Sequence, residues 1–143
     1  MMSKGLRAAI AGLGVYVPKM VLTNQDLEQM VDTTDEWIVK RTGISQRRKA
    51  GEGEATAHMA TEASRQACAA AGTDPAGVDL IICATITPDT LCPSTACYIQ
   101  RDLGAADAAV FDLSAACSGL IYALTVAEQF ILAGRCRNAL VIG

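Results

Sequence analysis

Apolar and polar residues follow two different periods along this chain. Continuous apolar runs rich in β-branched residues predict buried strands, whereas apolar residues spaced by three and four predict helices. The predicted strands are residues 6–16, 78–85, 108–113 and 138–142. The predicted longer helices are residues 55–71, 94 or 95 to 103, and 117–133, with an irregular loop bracketed by Pro88 and Pro93.

Two short helices are predicted between the first strand and the helix 55–71. Thr23 is a good N-cap for the first of them, NQDLEQMV. Thr34 caps the second, DEWIVKRT, which has acidic residues in its first turn and basic residues in its last turn. This order suits the helix dipole, and Gly43 marks the end of the helix. The polar stretch 45–54 is predicted to be a loop.

The alternation of strands with helices predicts an α/β fold with a mostly parallel sheet. Residues 78–85 form a nearly continuous apolar run, which is typical of a strand covered on both faces, and 108–113 is expected to be a second buried strand. The helix 117–133 is apolar almost all round, as expected for a helix inside a larger body. The sequence also ends within a predicted strand. We therefore expect the chain to be the front part of a longer protein, or to need a partner that covers it.

Composition narrows the possible function classes. The 143 residues are 51% hydrophobic and 19% charged, which supports a folded core and argues against disorder. With 12 Lys and Arg against 15 Asp and Glu, the net charge is −3, and aromatic residues make up 4%. Such a chain lacks the basic face and the stacking rings that are typical of nucleic-acid binders. No apolar run reaches the ~18 residues of a membrane span, and no secretory cleavage site is evident, so we expect a cytoplasmic protein.

The six cysteines do not fit a disulfide framework or a metal centre. Cys68, Cys83 and Cys117 lie in apolar or alanine-rich stretches, where free cysteine is a common core residue. The spacings do not resemble those of disulfide-rich domains, and no CxxC pair occurs. His58 is the only histidine, and we expect it on the surface. We therefore predict that the chain has no metal ligands.

The segment VFDLSAACSGL carries the strongest candidate chemistry. A predicted strand runs into a turn of small residues, and Cys117 follows at the start of a helix. This layout is that of a nucleophile elbow with cysteine in place of serine. Backbone N–H groups at a helix N-terminus favour the thiolate and can receive the oxyanion of an acyl transfer. From the layout alone, a catalytic nucleophile and a small core cysteine are equally good interpretations.

From Gly5 to Gly143 the sequence resembles the N-terminal half of β-ketoacyl-acyl carrier protein synthase III, a family of thiolase-like condensing enzymes. The matching segments are GLGVYVP, TNQDLEQMVDTTDEWIVKRTGISQRR, DLIICATITPD, CPSTACYIQRDLG and FDLSAACSGLIYAL. Several long motifs in the right order are more specific than one short pattern. The resemblance implies a mixed, mostly parallel sheet in one βαβαβαββ half of a five-layer αβαβα body. Residues 1–143 would form this N-terminal half-domain, with the C-terminal half absent from the chain.

The resemblance selects the nucleophile interpretation for Cys117 and implies its chemistry. The thiolate takes an acyl group, usually acetyl, from acyl-CoA, and malonyl-acyl carrier protein then loses carbon dioxide. The resulting carbanion attacks the thioester to give a β-ketoacyl-carrier protein, the first elongation step of fatty acid synthesis. Thiolate suits both steps because it is a good nucleophile and a good leaving group. The family needs no metal or organic cofactor, and its partners are acyl-CoA, the acyl carrier protein and a second copy in a homodimer.

The resemblance also implies binding residues. Trp37 would stack on the CoA adenine, with Thr33 near the adenine and Arg41 near the CoA phosphates. Without the resemblance, a tryptophan in a short amphipathic helix is more often a core residue. Cys92 matches a loop position that reaches the neighbouring subunit's acyl pocket. Relatives often carry a bulky aromatic there, so a smaller side chain would enlarge the pocket for longer or branched primers.

A basic stretch lies next to the predicted CoA-binding residues. Residues 40–49 hold five basic residues and no acid, so the stretch can receive phosphates or the acidic carrier protein, or can be a solvated loop. The family's catalytic histidine and asparagine come from its second half, so we expect no complete condensation by this chain alone. A catalytically incomplete CoA-binding module, a dimerising module and a polyketide starter condensing enzyme stay open as alternatives.

Overall fold

A computed structural model describes residues 7–143, and their contacts divide the chain into two units. Residues 17–54 form the smaller unit, and residues 7–16 and 55–143 belong to the larger one. The candidate residues are shared between these units, because residues 33, 37 and 41 lie in the smaller unit and residues 92 and 117 lie in the larger one.

The smaller unit consists of a two-stranded antiparallel sheet and two short helices. Its elements are β1 (Met20–Thr23), α1 (Asn24–Glu28), α2 (Asp35–Thr42) and β2 (Gln46–Lys49). Thr23 caps α1 as predicted and forms a capping box with Asp26. Thr34 caps α2 as predicted, accepting the Trp37 N–H at 3.1 Å, and the helix ends at Gly43.

The prediction of a loop over residues 45–54 is wrong for β2. This strand pairs with β1 from Met20 opposite Lys49 to Thr23 opposite Gln46. The sequence QRRK has no apolar alternation that would indicate a strand. The backbone of β1 supplies the hydrogen-bond partners instead, and such pairing at a distance leaves no mark on a local pattern.

The larger unit is built around a three-stranded parallel sheet. Its elements are α3 (Thr56–Ala71), β3 (Leu80–Ala84), α4 (Thr95–Leu103), β4 (Ala109–Leu113), α5 (Gly119–Leu132) and β5 (Ala139–Ile142), with short 3₁₀ turns at Pro75–Gly77 and Ala116–Ser118. The strand order is β4-β3-β5, and β3 pairs in parallel with both neighbours. The α/β class, the parallel sheet and the central buried strand are confirmed.

The two faces of β3 carry separate parts of the core. Ile81 and Cys83 face one cluster that includes residues of α3 and α4, such as Ala60 and Ile99. Leu80 and Ile82 face a second cluster that includes Ala123 and Ala127 of α5. Helices therefore cover both faces of the sheet, which explains why β3 reads as a continuous apolar run.

The prediction of a first strand over residues 6–16 is wrong for the part that the structure describes. Residue 6 lies outside that part, and residues 7–16 form no strand. They lie along α3, because a Cβ added to Gly12 or Gly14 would clash with the carbonyl oxygens of Ala67 and Ala63. The apolar side chains of Ile10, Leu13 and Val15 are exposed, and among residues 7–143 no strand pairs with this segment.

Burial of β4 and α5 is also less than the sequence predicts. β4 is an edge strand in this sheet, with Ala109 exposed and its other residues half-buried. On α5, Ala123 and Ala127 are buried, whereas Leu120, Ile121, Tyr122 and Leu124 are exposed. The apolar surface of α5 is therefore only partly covered by this chain.

Candidate active site

Cys117 follows β4 as predicted, but it lies in a 3₁₀ turn two residues before α5 and is not the first residue of the helix as the sequence predicts. β4 ends at Leu113, the 3₁₀ turn spans Ala116–Ser118, and α5 begins at Gly119. Cys117 is exposed and has no disulfide partner. The small core cysteine interpretation is therefore wrong for this residue.

The residue before Cys117 holds an unusual backbone conformation. Ala116 has φ 45°, the only positive φ among the non-glycine residues that the structure describes. The left-handed region costs a residue with a Cβ about 1–2 kcal/mol, and such strain clusters at functional sites. The turn therefore presents Cys117 on a strained backbone, which a loop with no functional role would usually avoid.

Small residues let the start of α5 approach the sheet. A Cβ placed on Gly119 would lie 3.1 Å from the Cβ of Ala84, the last residue of β3. A larger residue at position 119 would push the helix start away from the strand. The Ser118 side chain makes no capping hydrogen bond, so it does not occupy the N-terminal N–H groups of α5. The N–H of Gly119, the first residue of α5, donates to the Ala116 carbonyl, and the positive end of the helix dipole lies next to the cysteine, where it favours an oxyanion.

A cavity of about 430 Å³ opens at the carboxyl ends of β3 and β4. Thr85 and Ile86 follow β3, and Ser114 follows β4, three residues before Cys117. The remaining lining residues are Pro88, Thr90, Leu91, Ser94 and Asp112. Ligands of open α/β sheets bind at this edge, so the fold places Cys117 on the side where chemistry is expected.

Two aspartates fix the loop that walls this cavity. Asp112 of β4 accepts the N–H groups of Thr95 and Ala96 at 2.7 and 2.9 Å, at the start of α4. Asp89 accepts the N–H of Ala57 at 3.0 Å, at the start of α3, and the hydroxyl of Thr95 at 3.0 Å. Neither helix has a capping side chain at its own N-cap position, so both are capped from elsewhere in the chain.

Sequence reasoning did not assign these two aspartates a role. The available signal was the alanine at position 55, because alanine is a poor N-cap in front of a long helix. A poor cap indicates that another side chain supplies the acceptor, but it does not say which one.

The buried cysteines differ from Cys117 in their surroundings. Burial raises the pKa of Cys83 to about 12, with further contributions from Asp112 and Asp89. Burial also raises the pKa of Cys68 and that of Cys136. These three thiols stay protonated near neutral pH and are poor nucleophiles. The prediction that Cys68 and Cys83 are core residues is confirmed.

Cys92 lies at an exposed position in the loop before α4. Its peptide bond to Pro93 is cis, and the neighbouring Leu91 is 97% exposed. The Thr90 hydroxyl donates to the Pro93 carbonyl at 2.8 Å, which ties the loop together around Cys92. The role of this loop in a neighbouring subunit stays a prediction.

On the smaller unit, Trp37 and Arg41 form a pair on the surface of α2. The Trp37 side chain is 55% exposed, so it is not a core residue; Ile38 is the buried residue of this helix. The Arg41 guanidinium carbon lies 5.2 Å from the Trp37 ring centroid, in a cation–π contact. Thr33 is half-buried and directly precedes the N-cap Thr34. One face of the indole is thus contacted by Arg41.

The basic stretch is divided between α2 and β2. Lys40, Arg48 and Lys49 are exposed, whereas Arg47 is half-buried and donates to the Leu22 carbonyl at 3.3 Å. Arg48 donates to the Pro18 carbonyl at 3.1 Å. Both arginines therefore also hold the two-stranded sheet of β1 and β2 and the residues before it.

Residues 7–143 show neither a metal centre nor a helix that could span a membrane. No group of three or more His, Cys, Asp or Glu side chains in this range is placed to hold a metal ion, and His58 is exposed beside the Tyr16 ring. Over the same residues, every helix is too short or too polar to cross a bilayer.

Known proteins resemble this chain in sequence and in fold. The family described as 3-Oxoacyl-[acyl-carrier-protein (ACP)] synthase III matches residues 111–143. The β-ketoacyl-[acyl-carrier-protein] synthase III of Caldanaerobacter subterraneus subsp. tengcongensis is 54% identical over 142 residues, covering 99% of this chain and 43% of that protein. The crystal structure of 3-oxoacyl-[acyl-carrier-protein] synthase III from Aquifex aeolicus VF5 aligns with a TM-score of 0.88 at 52% identity, over 94% of this chain and 43% of that one.

A polyketide enzyme is also similar. The priming β-ketosynthase from the R1128 polyketide biosynthetic pathway aligns with a TM-score of 0.87 at 39% identity, over 93% of this chain and 42% of that one. This chain therefore spans less than half the length of the proteins it matches.

A cysteine presented between a parallel strand and a helix, on a sheet that aligns with these structures, defines the class: the chain has the fold of the thiolase-like condensing enzymes. Sequence identity above one half, over nearly the whole chain, narrows the class further. The chain belongs to the β-ketoacyl-[acyl-carrier-protein] synthase III family and corresponds to the N-terminal part of those proteins.

Proposed function

We propose that Cys117 is the acyl acceptor of a β-ketoacyl-acyl carrier protein synthase III that starts fatty acid synthesis. The Cys117 thiolate attacks the carbonyl of acyl-CoA, and the CoA thiolate leaves. Malonyl-acyl carrier protein then loses carbon dioxide, and its carbanion attacks the acyl-cysteine. The products are a β-ketoacyl-carrier protein and the regenerated Cys117 thiolate, so no metal or organic cofactor is required.

The observation that carries the proposal is the placement of an exposed Cys117 in the strained turn between β4 and α5. The thiol is accessible to a thioester, and it lies next to the positive end of the α5 dipole, which favours the oxyanion. The buried thiols of Cys68, Cys83 and Cys136 lack this access, and their raised pKa values disfavour the thiolate. Cys92 shares the exposure, but it precedes α4, where the N–H groups of Thr95 and Ala96 already donate to the Asp112 carboxylate.

The nucleotide end of CoA is assigned to α2. An exposed indole offers a flat surface for adenine, and its opposite face is already stabilised by Arg41. Arg41 carries a positive charge that suits a phosphate. Thr33 lies one residue before the N-cap of the same helix, so these three residues move together with α2.

The remaining partners follow from the family. The acyl carrier protein is acidic in this proposal and would approach the basic stretch 40–49. The enzyme would act as a cytoplasmic homodimer, with the loop around Cys92 contributing to the partner's acyl pocket. If Cys92 enlarges that pocket, isobutyryl-CoA and octanoyl-CoA acylate the enzyme at rates comparable to acetyl-CoA; a strict acetyl preference would contradict this assignment.

The relative from a polyketide pathway supports one alternative. Its structure is similar to this chain at 39% identity, so a starter condensing enzyme for polyketides is the second candidate. The two functions differ in the carrier protein that accepts the product. A comparison of condensation rates with fatty-acid and polyketide carrier proteins distinguishes them.

Acylation of the chain by acetyl-CoA is the direct test. We expect a mass gain of about 42 Da on the peptide that contains Cys117, from one acetyl group bound as a thioester. Cys117→Ser removes the thiol and should abolish the gain, whereas the matched variant Cys92→Ser leaves it in place. We expect no condensation product from the chain alone, because the family's catalytic histidine and asparagine are not among these residues. Acetylation on Cys92 instead of Cys117 would refute the proposal.

A further inference from the structure

One buried amide contacts the segment of α2 at both ends. Asn24 is the first residue of α1 and is fully buried. Its Nδ2 donates to Oδ1 of Asp35 at 2.7 Å and to the carbonyl oxygen of Ile44 at 2.8 Å. Asp35 is the first residue of α2, and Ile44 follows its C-cap, Gly43. The two N–H bonds of a single side chain therefore join the start of α2 to the residue just beyond its end.

The orientation of this amide is set by its two donors. Both acceptors are oxygen atoms, so exchanging Nδ2 with Oδ1 would place three oxygen atoms together. Oδ1 of Asn24 is buried and has no hydrogen-bond partner among residues 7–143, which is costly for a polar atom. Asn24 therefore uses only the donor side of its buried amide. This indicates that the residue serves to make those two hydrogen bonds and does not merely fill space in the core.

Besides this amide, the backbone N–H of Asn24 donates to the Ser45 carbonyl at 3.2 Å, and few other contacts fix α2 within the smaller unit. Ile38 is its buried residue, and the Asp35 N–H donates to Oε1 of Glu28 at 2.6 Å. The face that carries Trp37 and Arg41 is exposed. The direction in which that face points therefore depends strongly on the amide of Asn24.

We propose that Asn24 is a positioning residue that sets the orientation of α2, and through it the binding of the nucleotide end of CoA. The proposal rests on the assignment of that nucleotide to Trp37 and Arg41. It predicts that loss of the Asn24 donors weakens only the binding of the nucleotide part of CoA. The reaction of Cys117 with a thioester that lacks the nucleotide should be unaffected.

The substitution Asn24→Asp tests this with almost no change in side-chain shape. It replaces the two donors by an oxygen that faces the Asp35 carboxylate and the Ile44 carbonyl. CoA binding is followed by the fluorescence of Trp37, the only tryptophan of the chain. Because the buried Asn24 side chain loses both of its hydrogen bonds, we expect the Kd for CoA to rise about tenfold or more. Acetylation of Cys117 by acetyl-phosphopantetheine should stay within about twofold of the parent.

Two variants control for the chemical change and for folding. Asn138→Asp makes the same substitution at an exposed residue of the larger unit, and we expect no effect on CoA binding. If circular dichroism shows that Asn24→Asp is unfolded, Asp35→Ala takes its place. That variant removes one of the two acceptors and should raise the Kd for CoA about threefold or more, again without slowing acetyl-phosphopantetheine.

The outcomes separate this inference from the proposed function. A folded Asn24→Asp variant, or Asp35→Ala in its place, that binds CoA like the parent overturns the inference. Equal slowing with acetyl-CoA and acetyl-phosphopantetheine overturns it as well, because the effect would then not depend on the nucleotide. Trp37→Ala tests the underlying assignment, with CoA affinity measured by isothermal titration calorimetry because this variant has no tryptophan left. If its CoA affinity equals that of the parent, the nucleotide does not bind α2, whatever the Asn24 variants do.

Discussion

Removal of the Asp112 carboxylate should destabilise the larger unit more than removal of the Asp79 carboxylate. The carboxylate accepts two N–H groups of α4, from Thr95 at 2.7 Å and from Ala96 at 2.9 Å. Thr95 and Ala96 are both fully buried, so water cannot replace the lost acceptor. The helix has no capping side chain of its own to compensate.

The expected magnitude follows from these two bonds. A buried donor left without an acceptor costs about 1–3 kcal/mol, and the loss of a negative charge near a helix N-terminus costs about 0.3–1 kcal/mol more. Asp112→Ala leaves two donors without an acceptor and should therefore lower the free energy of unfolding by about 2–7 kcal/mol. Asp112→Asn keeps one acceptor oxygen and should lower it by about 1.5–3 kcal/mol. Either loss is a large fraction of the ~5–15 kcal/mol that stabilises a typical domain.

Urea denaturation followed by far-UV circular dichroism measures this loss. Asp79 is the matched control, since its carboxylate also accepts two backbone N–H groups, from Arg137 at 2.8 Å and from Asn138 at 3.1 Å. Those two donors belong to exposed residues, so water replaces the carboxylate and Asp79→Ala should cost less than about 1 kcal/mol. If Asp112→Ala and Asp79→Ala destabilise the protein equally, burial of the donors is not what decides the cost, and the reasoning fails.

Three further predictions concern the cysteines, the strained turn and the acid limit. At neutral pH, iodoacetamide should label Cys117 and Cys92 in the folded chain, and mass spectrometry should find label on the buried thiols of Cys68, Cys83 and Cys136 only after unfolding. Ala116→Gly should raise the free energy of unfolding by about 0.5–1 kcal/mol in urea, because glycine relieves the positive φ, while acetylation of Cys117 slows as the turn loosens; faster acetylation would contradict this. Hydrogen bonds from the Arg137 and Asn138 N–H groups lower the pKa of Asp79 from 3.8. Its stabilising contribution is therefore complete above that ordinary value and is lost as the pH falls through the lower folded-state pKa, so Asp79→Asn should flatten the acid dependence of stability below about pH 4; an unchanged slope would count against the hydrogen-bond explanation.

Some parts of the candidate active site can be predicted from the sequence and others cannot. The turn that holds Cys117 follows from contiguous residues, because a strand, a run of small residues and a helix each leave a local pattern. Asp89 and Asp112 cap helices that are distant from them in the sequence. Their contacts depend on how the strands and helices pack, so inspection of the sequence did not reveal them.

The amino-acid sequence by itself determined the elements whose stability is local. The caps at Thr23 and Thr34, the helix end at Gly43 and the doubly covered strand β3 could all be predicted, since each depends on neighbouring residues or on a continuous apolar run. Tertiary structure alone decided that β2 is a strand, that residues 7–16 lie along α3, and that Asn24 joins the two ends of the α2 segment. The physical reason is that a strand partner, a close backbone approach or a buried hydrogen bond involves groups far apart in the chain, whose meeting no local period of hydrophobicity records.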